Sequence, residues 1–432
     1  MKTSLSPAEV ERVAAPLRTA NAAFTLRYSG ERPDRQPVHT VYGGAHLFKS
    51  DAAHKLGQLA LRALEQHAPD ARALAEAFQL TPELAALVYP RVRGKLEREP
   101  VEDLRIDFED GYGARPDAEE DGHVVECARE AARGHAGKTM PPFWGIRIKP
   151  MTEEPRTRAV RTLDGFLTTL LEATSGAVPP GFVVTLPKLQ IPEHAAGLAD
   201  ALDALEPRLG LSPGSLRFEI MVEQTQAVID ASGRIAVPAL VAAARGRCVA
   251  AHLGTYDYTA SCGITAAHQH MAHPACDFAK HCMQASLGGT GLWLSDGATN
   301  VMPVGDRAAV HAAWRLQASH VRHSLEGGYY QGWDLHPAQL VARYTSVYAF
   351  YLEALPAATA RLTNFVAKAA QATLVGDVFD DAATGQGLLN FFLRGLACGA
   401  ISDKEAIATG LTVDELRSRS FVRILAGRRA AH

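Results

Sequence analysis

The feature that most constrains this 432-residue chain is an alternation. Short β-branched or aromatic runs, each closed by a turn signal, are followed by alanine- and leucine-rich stretches of helical character. The runs are VHTVYGG (38–44), LRIDFEDGYG (104–113), FWGIRIKP (143–150), FVVTLPK (182–188), RFEIMVE (217–223), CVAAHLGTYDY (248–258), TGLWLSDG (290–297) and GWDLHPAQ (332–339). Strands that alternate with helices pair in parallel, and eight such units are the number that closes a barrel. The sequence therefore predicts an α/β fold, a (β/α)8 TIM barrel, in preference to an open sheet.

Two departures from regular spacing add to that frame. A helical insertion of about residues 50–100 separates the first two runs, and beyond residue 340 the pattern becomes almost purely helical. The predicted organisation is an N-terminal helical and loop segment (1–36), a barrel domain (37–345) and a helical C-terminal extension (346–432). With 44 basic against 47 acidic residues, the chain has no field that would gather nucleic acid or an anionic membrane surface. Glu9, Glu11, Arg12 and Arg18 interrupt the N-terminus where a signal peptide needs an apolar run. Pro238, Arg245 and Arg247 break the most apolar later segment, so no membrane span is expected. Six cysteines without a CxxC pair read as reduced thiols. Together these features predict a soluble cytoplasmic protein whose partners are small molecules and copies of itself.

In such barrels the catalytic groups stand at the C-terminal ends of the strands. Here those ends carry Asp107, Glu109 and Asp110 at the second run, Arg147 and Lys149 at the third, and Lys188 at the fourth. Glu219 and Glu223 follow at the fifth, Asp257 at the sixth, Asp296 at the seventh and His336 at the eighth. In RFEIMVE, Glu219, Met221 and Glu223 share a face. Glu223 alone reaches the C-terminal end, which leaves Glu219 deeper in the barrel or paired to a base. The same parity sets Asp107 beside Glu109, while Asp110 opens the loop.

Glu223 and Asp257, at adjacent strand ends, suit a hard cation such as Mg2+, which takes one or two carboxylates and completes its shell with water and substrate oxygens. The open positions admit a bidentate α-keto or α-hydroxy acid, with Arg147 holding a carboxylate or developing enolate by a forked pair of hydrogen bonds. That constellation fits making or breaking a carbon–carbon bond next to a carbonyl. Gly43 and Gly44 end the first run, where free backbone N–H groups can meet a carboxylate or phosphate of the substrate. A plain turn is the equal alternative there.

These segments resemble the citrate lyase β-subunit and HpcH/HpaI aldolase group of the pyruvate/phosphoenolpyruvate barrel superfamily. IDFEDGYG is similar to its LDLEDAV-type strand, GIRIKP to its VRIN-type strand, and LPK to its lysine-bearing fourth strand. MVEQTQAVID is similar to its LIET-type segment, GTYDY to its glycine-x-x-aspartate, and DLHPAQL to its IHPAQV, in order over about residues 38–340. GTYDY, with an aromatic residue on each side of the aspartate, also resembles the GRWDY of malate synthase. The resemblance implies Mg2+, with Mn2+ as the alternative ion, on Glu223 and Asp257. It implies substrate oxygens on Arg147 and Lys188, and an acidic group of Asp107, Glu109 and Asp110 that orders metal waters. It further implies a homo-oligomer, trimer or hexamer, and a free carboxylic acid or an acyl-CoA thioester as substrate. In members that use CoA thioesters, a C-terminal segment closes a neighbouring subunit's site and carries a catalytic aspartate. GDVFDDAATGQG (376–387) offers Asp377, Asp380 and Asp381 for that role, and Asp296 is a second candidate base.

Three other motifs are weighed and set aside. GHAGKT (134–139) has Ala132 where a phosphate loop needs glycine, and it precedes a strand instead of following one. RVRGKLER (91–98) reads as a solvated helix face more readily than as a rim contact for a CoA phosphate. His268, His270, His273 and Cys276 have spacings a zinc ion tolerates, yet PACDFAKHCMQASL reads as a helix started by Pro274. Its inward face would be Ala275, Phe278, Ala279 and Cys282, with His268 and His281 at the surface. The expected activity is a Mg2+-dependent carbon–carbon lyase or aldolase acting on a small hydroxy acid or its CoA thioester. A malate-synthase-like condensation of glyoxylate with an acyl-CoA, and a catalytically silent scaffold barrel, are the alternatives.

Overall fold

A computed structural model of the chain describes residues 2–32, 34–371, 382–420 and 424. Eight parallel strands close in sequence order into one barrel. They are β1 (His39–Gly44), β2 (Asp103–Asp107), β3 (Phe143–Arg147), β4 (Phe182–Leu186), β5 (Phe218–Val222), β6 (Cys248–Leu253), β7 (Trp293–Ala298) and β8 (Gln331–Asp334). β8 returns to β1 in register from His39 with Gly332 to Val41 with Asp334, so the sheet has no free edge. Each predicted run supplies one strand.

Alternation along the strands sorts their residues into two environments. Leu104, Ile106, Trp144, Ile146, Val184, Leu186, Ile220, Val222 and Leu253 are buried in the apolar core that the strands share with the surrounding helices. The other face is charged and equally buried. Arg105 on β2 reaches across the interior to β5, with Nε 2.8 Å from Glu219 Oε1 and Nη2 2.9 Å from Oε2. The same guanidinium donates to Asp103 and, at 3.0 Å, to Thr185 Oγ1 on β4. Thr40 on β1 donates to Asp103 at 2.9 Å, Gln331 on β8 donates to Thr40 at 3.0 Å, and His252 Nε2 on β6 lies 2.9 Å from Glu219. Charges removed from water need partners, and these strands supply them to one another. Burial would raise the Glu219 carboxyl, but Arg105 and His252 outweigh it and hold it below the usual carboxylate range. Glu219 is thus both deep in the barrel and paired to bases.

The insertion between β1 and β2 forms three helices, Ala52–His67, Ala71–Phe78 and Pro82–Arg98. Asp70 and Thr81 cap the latter two by accepting the Ala73 and Leu84 N–H groups. The first and third pack on Gln339–Gln371, a 33-residue helix that starts just after β8. This helix runs through position 345, so the barrel and the C-terminal segment are continuous there. Ala382–Cys398 packs back against it, and Tyr348 Oη donates to Cys398 O at 3.1 Å. Arg91 of RVRGKLER is tied to Glu405 at 2.6 Å and to the Ala400 carbonyl, so its cation braces the insertion against the C-terminal segment.

Pro274–Leu287 is a helix, capped by His273, whose Nδ1 accepts the Ala275 N–H at 3.1 Å. Its inward face differs from the expected one. Cys276, Ala279, Lys280, Cys282 and Met283 are buried, whereas Phe278 is exposed. A buried ion pair explains the rotation: Lys280 Nζ is 3.0 Å from Asp296 Oδ2, which hydrophobic patterning does not anticipate. All six cysteines are free, and five are buried. Among the described residues no helix is long and apolar enough to cross a membrane.

The interior network makes a stability prediction. Arg105→Met leaves Glu219 and Asp103 buried without their main partner, which should cost about 3–5 kcal/mol in urea unfolding. A loss below about 1 kcal/mol would show that the network contributes little.

Candidate active site

The ends of β2 to β6 bring a chain of charged residues into contact at one mouth of the barrel. Glu223, the first residue past β5, is 1% exposed. Lys188, just past β4, donates its backbone N–H to Glu223 Oε1 at 2.5 Å. It does so from a left-handed conformation, φ 52°, which costs a residue with a Cβ about 1–2 kcal/mol. The Lys188 ammonium meets Glu109 and, at 2.8 Å, Asp110. Burial opposes its charge, but those two carboxylates raise it above the ordinary lysine range.

Gly254, the first residue past β6, stands against the other side of Glu223. A Cβ at position 254 would stand 2.4 Å from Glu223 Oε2, so only glycine lets the chain pass. The chain then enters the short helix Thr255–Ser261, whose first turn carries Asp257. Asp257 and Glu223 stand close enough for their carboxyl groups to interact directly. Burial, with the Asp257 charge adding to it, pushes the Glu223 carboxyl up to about 8. Burial raises Asp257 as well.

Arg147 closes the arrangement from β3. Its Nε and Nη2 hold Asp107 at 2.7 and 2.5 Å, and Nη1 lies 3.3 Å from Glu109 and 3.7 Å from Asp110. Its Cζ sits 4.8 Å from the centroid of the Tyr42 ring. Asp107 also accepts the Glu109 N–H at 2.9 Å and the Gly111 N–H at 2.7 Å, which fills its acceptor sites.

Several expectations change with this geometry. The forked pair of Arg147 hydrogen bonds goes to Asp107, so that fork is not free for a substrate. Asp107 is a positioning residue and has no capacity left to order water. Glu109 and Asp110 are engaged with the Lys188 and Arg147 cations, the Glu109 side chain largely out of water and the Asp110 side chain exposed. Gly43 and Gly44 lie within β1, in register with Ile106 and Asp107, and not beyond its end as free backbone. A Cβ on Gly44 would meet the Gly111 carbonyl at 2.3 Å, which is the reason for glycine there. Asp296 is fully buried between Lys280 at 3.0 Å and Ser324 at 2.6 Å, which anchors β7 to two helices and removes it as a base. Lys149 is held by Glu120 at 2.7 Å, and His336 Nδ1 accepts the Ala338 N–H at 3.2 Å. Asp377, Asp380 and Asp381 lie outside the described residues.

Three residues absent from the sequence reading join the site from within the barrel. Tyr42 and Trp333 pack with ring centroids 4.7 Å apart, and His252 lies 6.4 Å from Trp333. Tyr42 Oη, Trp333 Nε1 and His252 Nδ1 are buried without a protein hydrogen-bond partner. The sequence signal for Tyr42 is its inward parity beside Gly43 in VYGG.

Residues 17–424 match a family described as a domain of unknown function (DUF6986). This chain belongs to that family. No curated protein matches it in sequence. Among solved structures, the Haloferax volcanii malate synthase, native with glyoxylate, aligns at 17% identity over 73% of this chain and 76% of that one, with a TM-score of 0.46. The magnesium and glyoxylate complex of the same enzyme aligns at 15% identity over 93% and 99%, TM-score 0.45. An HpcH/HpaI aldolase from Desulfitobacterium hafniense DCB-2 aligns at 10% identity over 71% and 88%, TM-score 0.38. Identities this low say nothing of the reaction of this DUF6986 member, which rests on its own residues.

The raised Glu223 carboxyl sets a pH dependence for the metal-free protein. Its folded-state value of about 8 exceeds the ordinary 4.5, so the folded state favours the neutral acid. That contribution to stability is full below pH 4.5 and is lost as pH rises through about 8. With chelator present, the melting temperature should therefore decline over this window, and Glu223→Gln should flatten part of the decline. Identical pH slopes for the two proteins would refute the assignment.

Proposed function

We propose that this chain is a Mg2+-dependent carbon–carbon lyase or aldolase acting on a small hydroxy acid or its CoA thioester. The observation that carries the reading is the contact of two carboxylates, Glu223 and Asp257, in a mouth that also holds Arg147. Like charges brought together out of water are unfavourable, and a divalent cation reverses that balance. Among the described residues no group of three or more His, Cys, Asp or Glu is placed to hold a metal. The donor set of this reading is the two hard carboxylates of Glu223 and Asp257. That fits Mg2+ or Mn2+ with positions for water and substrate, and does not fit a four-ligand structural zinc. When bound, the ion would supply Lewis-acid polarisation of a carbonyl.

The chain's own groups would do the rest. Arg147, fixed by Asp107, offers its Nη1 side to a substrate oxygen that gains negative charge as an enolate forms. The Lys188 backbone keeps Glu223 turned toward Asp257. Tyr42 Oη and Trp333 Nε1 are donors available to a further polar group of the substrate. The ordered resemblance of six segments to the citrate lyase β-subunit and HpcH/HpaI group supports the same chemistry. GTYDY alone favours the malate-synthase-like condensation, and its tyrosines have other occupations. Tyr256 Oη donates to Ala298 O at 2.9 Å and accepts the Asn300 N–H at 2.9 Å, while Tyr258 is buried.

Two measurements test the proposal. Calorimetry should detect Mg2+ binding that Glu223→Gln and Asp257→Asn abolish and that Gly254→Ala weakens by crowding Glu223; unchanged binding in the first two would remove the metal assignment. A panel of hydroxy acids and acyl-CoA thioesters, assayed with and without Mg2+, should reveal cleavage. On the substrate that responds, Arg147→Lys should lower kcat/KM by roughly 100-fold or more, the scale for losing a charge-stabilising donor. Condensation in place of cleavage would select the malate-synthase-like alternative, and uniform inactivity would favour a scaffold.

A further inference from the structure

The helix Pro7–Arg27 stands apart from the fold: none of its 21 residues is buried. It displays Val10, Val13, Leu17 and Phe24 at 50%, 64%, 55% and 63% exposure. With Ala20 these positions recur at alternating intervals of three and four, the seam by which one helix packs along another. A contiguous apolar row of this kind marks an interaction surface. The helix also lacks the means to persist alone. Pro16 lies in its interior and removes a backbone hydrogen bond, and most helical stability in proteins comes from tertiary packing, which this helix lacks within its own chain. Its root lies at the N-terminal end of β7, where the Gly30 N–H donates to Gly289 O at 2.8 Å. The seam therefore leaves the barrel at the end opposite Glu223 and Asp257.

We propose that this seam docks on the same helix of a second copy of the chain, antiparallel to it. The seam's side-chain sizes and its charges choose that occupant. In the antiparallel register that sets Leu17 over Ala20 of the other copy, Val13 meets Phe24 and Val10 meets Arg27, so the four central layers each set a larger residue against a smaller one. Glu9 lies in the first turn and Arg27 in the last, with no charge on the seam between them. Antiparallel pairing brings each Glu9 toward the opposing Arg27 and opposes the helix dipoles, whereas parallel pairing places like beside like. The contact is isologous and has twofold symmetry, so by itself it closes a dimer.

The test uses the full-length protein. Light scattering should report an assembly of at least two chains, and Leu17→Asp should halve that mass while leaving the melting temperature and the Mg2+ response unchanged. Cysteine pairing then tests the direction in a Cys262→Ser background, since Cys262 is exposed. Under oxidant, Val13→Cys mixed with Phe24→Cys should give a covalent dimer, and neither variant alone should. A monomeric wild type, a Leu17→Asp protein of undiminished mass, or a mixture that fails to cross-link would each overturn the proposal. Self-cross-linking of both single variants would mean parallel pairing and would overturn it too.

Discussion

One buried ion pair organises the barrel. Arg105 and Glu219 hold each other by two parallel hydrogen bonds of 2.8 and 2.9 Å across the interior, one on β2 and the other on β5. Neither charge is tolerable there alone, and a slip of either strand by one residue would turn its charge to the apolar face against the helices. The pair therefore fixes the register of the two strands. Asp107 stands two residues beyond Arg105, one step along the same face, and Glu223 stands four beyond Glu219, two such steps, so both are placed by a contact deeper in the barrel.

Above that layer, the mouth of the barrel is a problem in charge compensation that is nearly solved within the chain. Asp107 is saturated by Arg147 and two backbone N–H groups. Glu109 and Asp110 share Lys188. Glu223 and Asp257 are left as the under-compensated pair, kept in contact by the glycine at 254 and the left-handed backbone at 188. Two acids left together with less compensation than their neighbours are the reason the proposed cation, and the proposed chemistry, centre there. The two ends of the barrel then divide the work: the mouth carries the proposed reaction, and the opposite end carries the proposed contact between copies.

Much of this was legible in the sequence. The eight runs were readable because strands buried on their helix-facing side must be apolar at every second position, and turn residues mark where each one stops. Parity put Glu219 and Glu223 on one face and joined Asp107 to Glu109, and position along the run separated Glu223, at the C-terminal end, from Glu219. The partners of each charge were not readable, because a hydrogen bond between β2 and β5 joins residues 114 positions apart. For that reason the sequence predicts an Arg147 fork open to a substrate and a base at Asp296, whereas Asp107 takes the fork and Lys280 and Ser324 hold Asp296 in the wall.

The sequence by itself thus determined the strands, their order, the closure of the barrel and which acids reach its mouth, since these follow from local periodicity and from the rule that parallel units close at eight. Tertiary structure decided which charge answers which. It turned the Pro274–Leu287 helix to bury Lys280, drew Tyr42, His252 and Trp333 into the site, and left Glu223 and Asp257 as the unbalanced pair. The physical reason is that compensation of buried charge depends on distances through space, which spacing along the chain does not encode.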